Sequence, residues 1–89
     1  MRILIAEDDA PLATFIAKAF KSEDHITEVA ANGDDALQRL HKTAYDLLIL
    51  DLNLPVISGV EVLAKVRGRD TDLPILILTA SGEVTERVA

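Results

Sequence analysis

The stretch Tyr45-Asp46-Leu47-Leu48-Ile49-Leu50-Asp51-Leu52-Asn53-Leu54-Pro55 sets an unbroken apolar run between two aspartates and follows it with a turn-forming segment. A short run without polar alternation suits a parallel strand covered by helices on both faces. The pattern recurs in Arg2-Ile3-Leu4-Ile5-Ala6, which ends on Glu7-Asp8-Asp9, and in Leu73-Pro74-Ile75-Leu76-Ile77-Leu78, which ends on Thr79. Strands are therefore predicted over 2–6, 46–50 and 73–78. Two of them deliver carboxylates at their C-terminal ends. In open parallel sheets those ends face a shared crevice, where ligands sit.

Between these strands the spacing changes to that of helices. Pro11 to Phe20 places Leu12, Phe15, Ile16, Ala19 and Phe20 on one stripe, with Pro11 in a first turn and Asp9 or Ala10 at the cap. Ile26 to Ala30 alternates as a shorter strand, and Asn32-Gly33-Asp34-Asp35 opens a second helix through His41. The acids of that first turn complement the helix dipole. Ser58-Gly59-Val60-Glu61 reads as a capping box, opening a third helix that Gly68 ends. Ser81 to Ala89 reads as the beginning of a fourth. The order β-α-β-α-β-α-β predicts one α/β domain, a doubly wound parallel sheet with right-handed crossovers.

Composition narrows the function classes. With 49% hydrophobic residues in an 89-residue chain and a mean hydropathy of +0.25, the segment folds around a core. The lack of cysteine excludes disulfides and thiolate metal sites. The apolar start is too short for a signal peptide or a membrane span, so a soluble, cytoplasmic protein is expected. A net charge of −6 argues against direct nucleic-acid contact by this segment, because displacing counterions from phosphates requires basic groups.

Glu7, Asp8 and Asp51 brought together would repel one another and raise at least one carboxyl pKa. A divalent ion removes the conflict, and Mg²⁺, which prefers hard oxygen ligands and is often shared with phosphates, fits best. An unprotonated Asp oxygen is a competent nucleophile for an acyl phosphate, and Asp51 is the best-placed acid for that role. Thr79 adds a hydroxyl at the next strand end. His25 and His41 lack a second ligand at useful spacing and read as surface or packing residues. Tyr45, Phe15 and Phe20 read as packing residues, Asp70 with Asp72 as a solvated turn, and Gly33 and Gly59 as turn glycines.

The segments around Glu7-Asp8-Asp9, Asp51 to Pro55, Ser58-Gly59 and Leu73 to Ala80 resemble, in order and spacing, the receiver domains of two-component response regulators. The resemblance runs the length of the chain and implies a flavodoxin-like sheet of strand order 2-1-3-4. It implies that Asp51 accepts a phosphoryl group from a sensor histidine kinase and that Asp8, Asp51 and the backbone carbonyl of Asn53 ligate Mg²⁺, with Glu7 assisting through water. Thr79 would be the switch hydroxyl, Ala80 would offer a backbone amide to the phosphoryl group, and Asn53 and Ser81 would tune phosphoryl lifetime. The N-terminal pattern is similar to receivers attached to winged-helix DNA-binding domains, the OmpR type. On this reading the protein is a switch and not an enzyme that turns over a metabolite.

The chain departs from the family's pattern at its end, where a fifth strand with a Lys-Pro pair and a last helix would follow. The expectation is a receiver truncated within its fourth helix at Ala89, without the partner lysine, since Lys18, Lys21, Lys42 and Lys65 lie far from the strand ends. The strand 73–78 would then be an open edge, inviting self-association through it or the adjacent helix. Two alternatives remain at this point: an inactive binding or self-association module, and a phosphohydrolase with an Asp nucleophile. Against the latter, Asn53 stands where a second acid would serve as acid/base.

Overall fold

The computed structural model describes residues 1–78 and 84–87. Its elements are β1 (Arg2–Ala6), α1 (Ala10–Lys21), β2 (Ile26–Ala30), α2 (Gly33–Lys42), β3 (Leu47–Asp51), α3 (Gly59–Arg69), β4 (Ile75–Leu78) and β5 (Val84–Arg87). The first four strands are parallel in the order 2-1-3-4, the flavodoxin-like arrangement expected, and β5 is antiparallel on the far side of β4. The register sets Ala6 opposite Ala30 on one side and Leu50 on the other, and Asp51 opposite Leu78.

Alternation along each strand divides the core. Leu4, Ala6, Leu48, Leu50, Ile75 and Ile77 face α2 and α3, where they meet Ala36, Val62 and Val66. Ile3, Ile5 and Ile49 face α1 and meet Ala13 and Ala17. Ile3, Leu4, Ile5, Leu48, Leu50, Ile75 and Val62 are fully buried, each stabilising the fold by about 1.5–3 kcal/mol relative to exposure.

The helix starts follow the capping rules. The side chains of Asp9, Asn32 and Ser58 accept the N–H groups of Leu12, Asp35 and Glu61, satisfying donors that have no intrahelical partner. α2 is tied to β2 and to the approach to β3: Arg39 donates to Asp35 and Glu28, and the Tyr45 hydroxyl donates to Glu28 at 2.7 Å. Burial first, and then the Glu28 carboxylate, raises the Tyr45 pKa above its usual value.

Three expectations are corrected. The stripe of α1 that packs on the sheet is the buried Ala13 and Ala17 with the half-buried Ile16 and Phe20, whereas Leu12 and Ala19 are exposed and Phe15 is 72% exposed. Small alanines at 13 and 17 let α1 lie close to the sheet on that face, which leaves Leu12 and Phe15 turned outward. Gly68 does not end α3, which runs one residue further to Arg69 and is closed by Asp70, whose N–H donates to the Val66 carbonyl. The fourth helix is not formed where it is described. Val84–Arg87 pairs as a strand with Ile75–Leu78, so β4 is interior and is not the open edge anticipated. Unpaired strand amides recruit any available partner.

Two glycines of α3 distinguish contact from propensity. A Cβ on Gly59 would run into the Asp51 carbonyl and the Leu52 backbone, whereas a Cβ on Gly68 would meet nothing within 4 Å. Gly59→Ala should cost about 1–3 kcal/mol, and Gly68→Ala should gain up to about 1 kcal/mol from helix propensity. Urea unfolding of the two variants checks this, and equal effects of one sign would contradict it.

Candidate functional site

Glu7 is the first residue past β1, and its N–H donates to the Ala30 carbonyl at 3.0 Å, prolonging the β1–β2 ladder by one step. Its side chain is 5% exposed, the only buried charged residue described. Asp8 follows in the loop and is exposed. Asp9 is occupied as the α1 cap, its Oδ1 accepting the Leu12 N–H at 3.1 Å, so it is a helix-start residue as expected. Asp51 closes β3 and is half-buried, and its Oδ1 accepts the Asn53 N–H at 3.0 Å. That bond fixes the plane of the carboxylate.

The segment after Asp51 folds tightly back on its neighbours. The Leu52 N–H reaches the Leu78 carbonyl at 3.4 Å, the Gly59 N–H donates to the Leu52 carbonyl at 3.0 Å, and the Gly33 N–H donates to the Pro55 carbonyl at 3.2 Å. The α3 start can lie against the Asp51 backbone only because residue 59 lacks a side chain. Val56 has φ 70°, a left-handed conformation that is sterically poor for a β-branched residue. This connection is held by surrounding contacts and not by its own preference. Neither the Val56 strain nor the Gly59 contact is legible in the sequence, although Ser58-Gly59 at the end of the connection from the Asp51 strand is a signal for the latter.

Glu7, Asp8 and Asp51 come together as the sequence predicts. One carboxylate oxygen from each lies within 4.8 Å of the others, graded from a buried floor at Glu7 to an exposed rim at Asp8. Glu7 Oε2 is buried without a hydrogen-bond partner. Burial, then contact with Asp51, then the negative charge of Asp51 and Asp8 push the Glu7 pKa up to about 8 from 4.5. An orphaned buried carboxylate oxygen facing two more acids is a donor set for a hard cation. Thr79, Ala80 and Ser81 lie outside the described residues.

The chain matches the response regulator receiver domain over residues 3–89. It belongs to that family. The receiver is 38% identical to the transcriptional regulatory protein TcrA of Mycobacterium tuberculosis over 89 residues, which is all of this chain and 35% of that protein. It therefore spans about a third of the length of that curated relative. Among solved structures it is similar to the response regulator TrrA of Thermotoga maritima in complex with Mg(2+)-BeF, with a TM-score of 0.84 and 35% identity over 89% of this chain and 69% of that one. It is equally similar to TrrA in complex with the histidine kinase ThkA, with a TM-score of 0.84 and 34% identity over 92% of this chain and 71% of that one. Among the described residues no helix of this receiver is long and apolar enough to cross a membrane.

The raised Glu7 pKa has a definite pH consequence. Between about pH 4.5 and pH 8 the folded state holds a proton that the unfolded state has released, so Glu7 makes stability fall as pH rises through that window and adds no slope beyond it. Denaturant unfolding in EDTA should show the wild type losing stability relative to Glu7→Gln across that window. Parallel curves would contradict the assignment.

Proposed function

We propose that this receiver is a phospho-acceptor switch in which Asp51 takes a phosphoryl group from a sensor histidine kinase in a Mg²⁺-dependent reaction. The observation that carries this reading is the convergence of Glu7, Asp8 and Asp51 with an unpartnered oxygen on Glu7. The TrrA complexes with Mg(2+)-BeF and with ThkA support the metal and the kinase as partners.

Asp8, Asp51 and the Asn53 carbonyl would hold Mg²⁺, with Glu7 acting through water. When bound, the ion supplies positive charge that offsets the carboxylates and the incoming phosphoryl oxygens. The chain's own contribution is positioning. An Asp51 oxygen forms the new bond to phosphorus, and the bond from phosphorus to the donor breaks with its electron pair on the donor. The Asn53 N–H on Oδ1 holds the Asp51 carboxylate in one plane for that attack. The depth of Glu7 keeps its carboxylate from rotating out to water. Thr79 as switch hydroxyl and Ala80 as amide donor rest on the family resemblance.

The reaction consumes the protein's own carboxylate, so the domain acts as a signalling switch and not as a turnover enzyme, and as a regulator's receiver it would work in the cytoplasm. Its output would be transcriptional through a further domain, as the relative's name suggests. With β4 paired to β5, the open β4 edge no longer argues for self-association through the 73–78 strand.

Intact-mass analysis after incubation with Mg²⁺ and acetyl phosphate tests the reading. One phosphoryl group should add to the wild type, and none to Asp51→Asn or in EDTA. Equal modification of Asp51→Asn, or none in a folded wild-type sample, would overturn it.

A further inference from the structure

The helices of this sheet run antiparallel to its strands, so the C-terminal halves of α2 and α3 lie at the edge opposite the carboxylate cluster. There they part around a cavity of about 590 Å³. Leu37, Leu40 and Val66 give it an apolar lining, and Gly68 leaves it open, since a Cβ there would meet nothing within 4 Å. A second cavity of about 340 Å³ shares Leu40, Val66 and Arg69 with it and reaches Tyr45 and Leu73. The larger volume falls in the range of small-molecule sites, which pair an apolar body with a few polar groups.

The rim is cationic although the chain is acidic. Lys42, Lys65 and Arg69, three of the chain's nine lysines and arginines, line the cavity, and no Asp or Glu does. None of the three has a carboxylate partner among the described residues. The one acid that lines the adjoining cavity, Asp70, is engaged by the N–H groups of Asp72 and Leu73. Two helix C-termini place about half a negative charge each at this end, which three full positive charges outweigh.

We propose that this cleft binds a soluble organic monocarboxylate with an aliphatic or aryl body of roughly drug-like size. The apolar portion would lie on Leu37, Leu40 and Val66, and the carboxylate would meet the Lys42, Lys65 and Arg69 side chains. Phosphate esters fit less well. Helix C-terminal halves offer carbonyls and not free N–H groups, so the cleft lacks the backbone donors that anchor multiply charged phosphates.

The test is an amide NMR titration of the folded chain with octanoate, with octyltrimethylammonium as the opposite-charge probe. Saturable shifts confined to residues 37–42 and 65–69 are expected, with no shift at Glu7, Asp8 or Asp51 and no saturation by the cation. Lys42→Glu with Lys65→Glu should weaken octanoate at least tenfold. The milder Lys42→Gln with Lys65→Gln should weaken it less, and both changes fall on exposed side chains. Failure to saturate, equal binding of the cation, unchanged affinity in both double variants, or binding only of an acidic peptide would overturn the proposal.

Discussion

The register between β1 and β3, with Ala6 opposite Leu50, decides which side chains leave the sheet at its C-terminal edge. It places the first residue beyond β1, Glu7, beside the last of β3, Asp51, and the loop then brings Asp8 to the rim. A slip of one residue would turn every side chain of the slipped strand to the opposite face and set the wrong residues against the helices. The apolar division between the two sides of the sheet, Leu4 and Leu50 on one and Ile3, Ile5 and Ile49 on the other, is what prevents that slip. The core therefore determines the site.

The same packing creates an electrostatic conflict. Two unit charges about 4–5 Å apart near a surface repel by on the order of 3 kcal/mol before solvent screening. Asp8 is exposed and relaxes into water, whereas Glu7 cannot, and it answers by holding its proton toward pH 8. The site is thus destabilised in the absence of a cation and ready to gain from one. Val56 in a left-handed conformation shows a second tension in the same region, in the connection that follows Asp51.

The sequence disclosed most of this because its signals were local. Unalternating apolar runs identified three of the parallel strands and the alternation of Ile26 to Ala30 the fourth, and Asp9, Asn32 and Ser58 marked the helix starts, since each cap acts within three residues. The acid cluster was legible because parallel strands give their C-terminal ends a common destination. What failed depended on tertiary context. Phe15 has the right spacing for the buried stripe, yet the alanines that allow close approach select another face of α1. The segment 84–87 falls in the stretch expected to begin a fourth helix, yet the unpaired amides of β4 draw it into the sheet. The cationic cleft was invisible because Lys42, Lys65 and Arg69 come from two helices whose C-terminal ends meet only in the fold.

Opposite charges thus occupy opposite ends of one sheet, carboxylates at the strand C-termini and cations at the helix C-termini. The central claim is that the acid cluster is a cation site which folding alone leaves in conflict. Measuring unfolding free energy at pH 8 against Mg²⁺ concentration tests it most directly, with Asp8→Asn as the comparison. The account predicts that wild-type stability climbs with Mg²⁺ as ligand linkage requires, while Asp8→Asn stays nearly flat. A folded wild type indifferent to Mg²⁺, or an equal rise in Asp8→Asn, would contradict it.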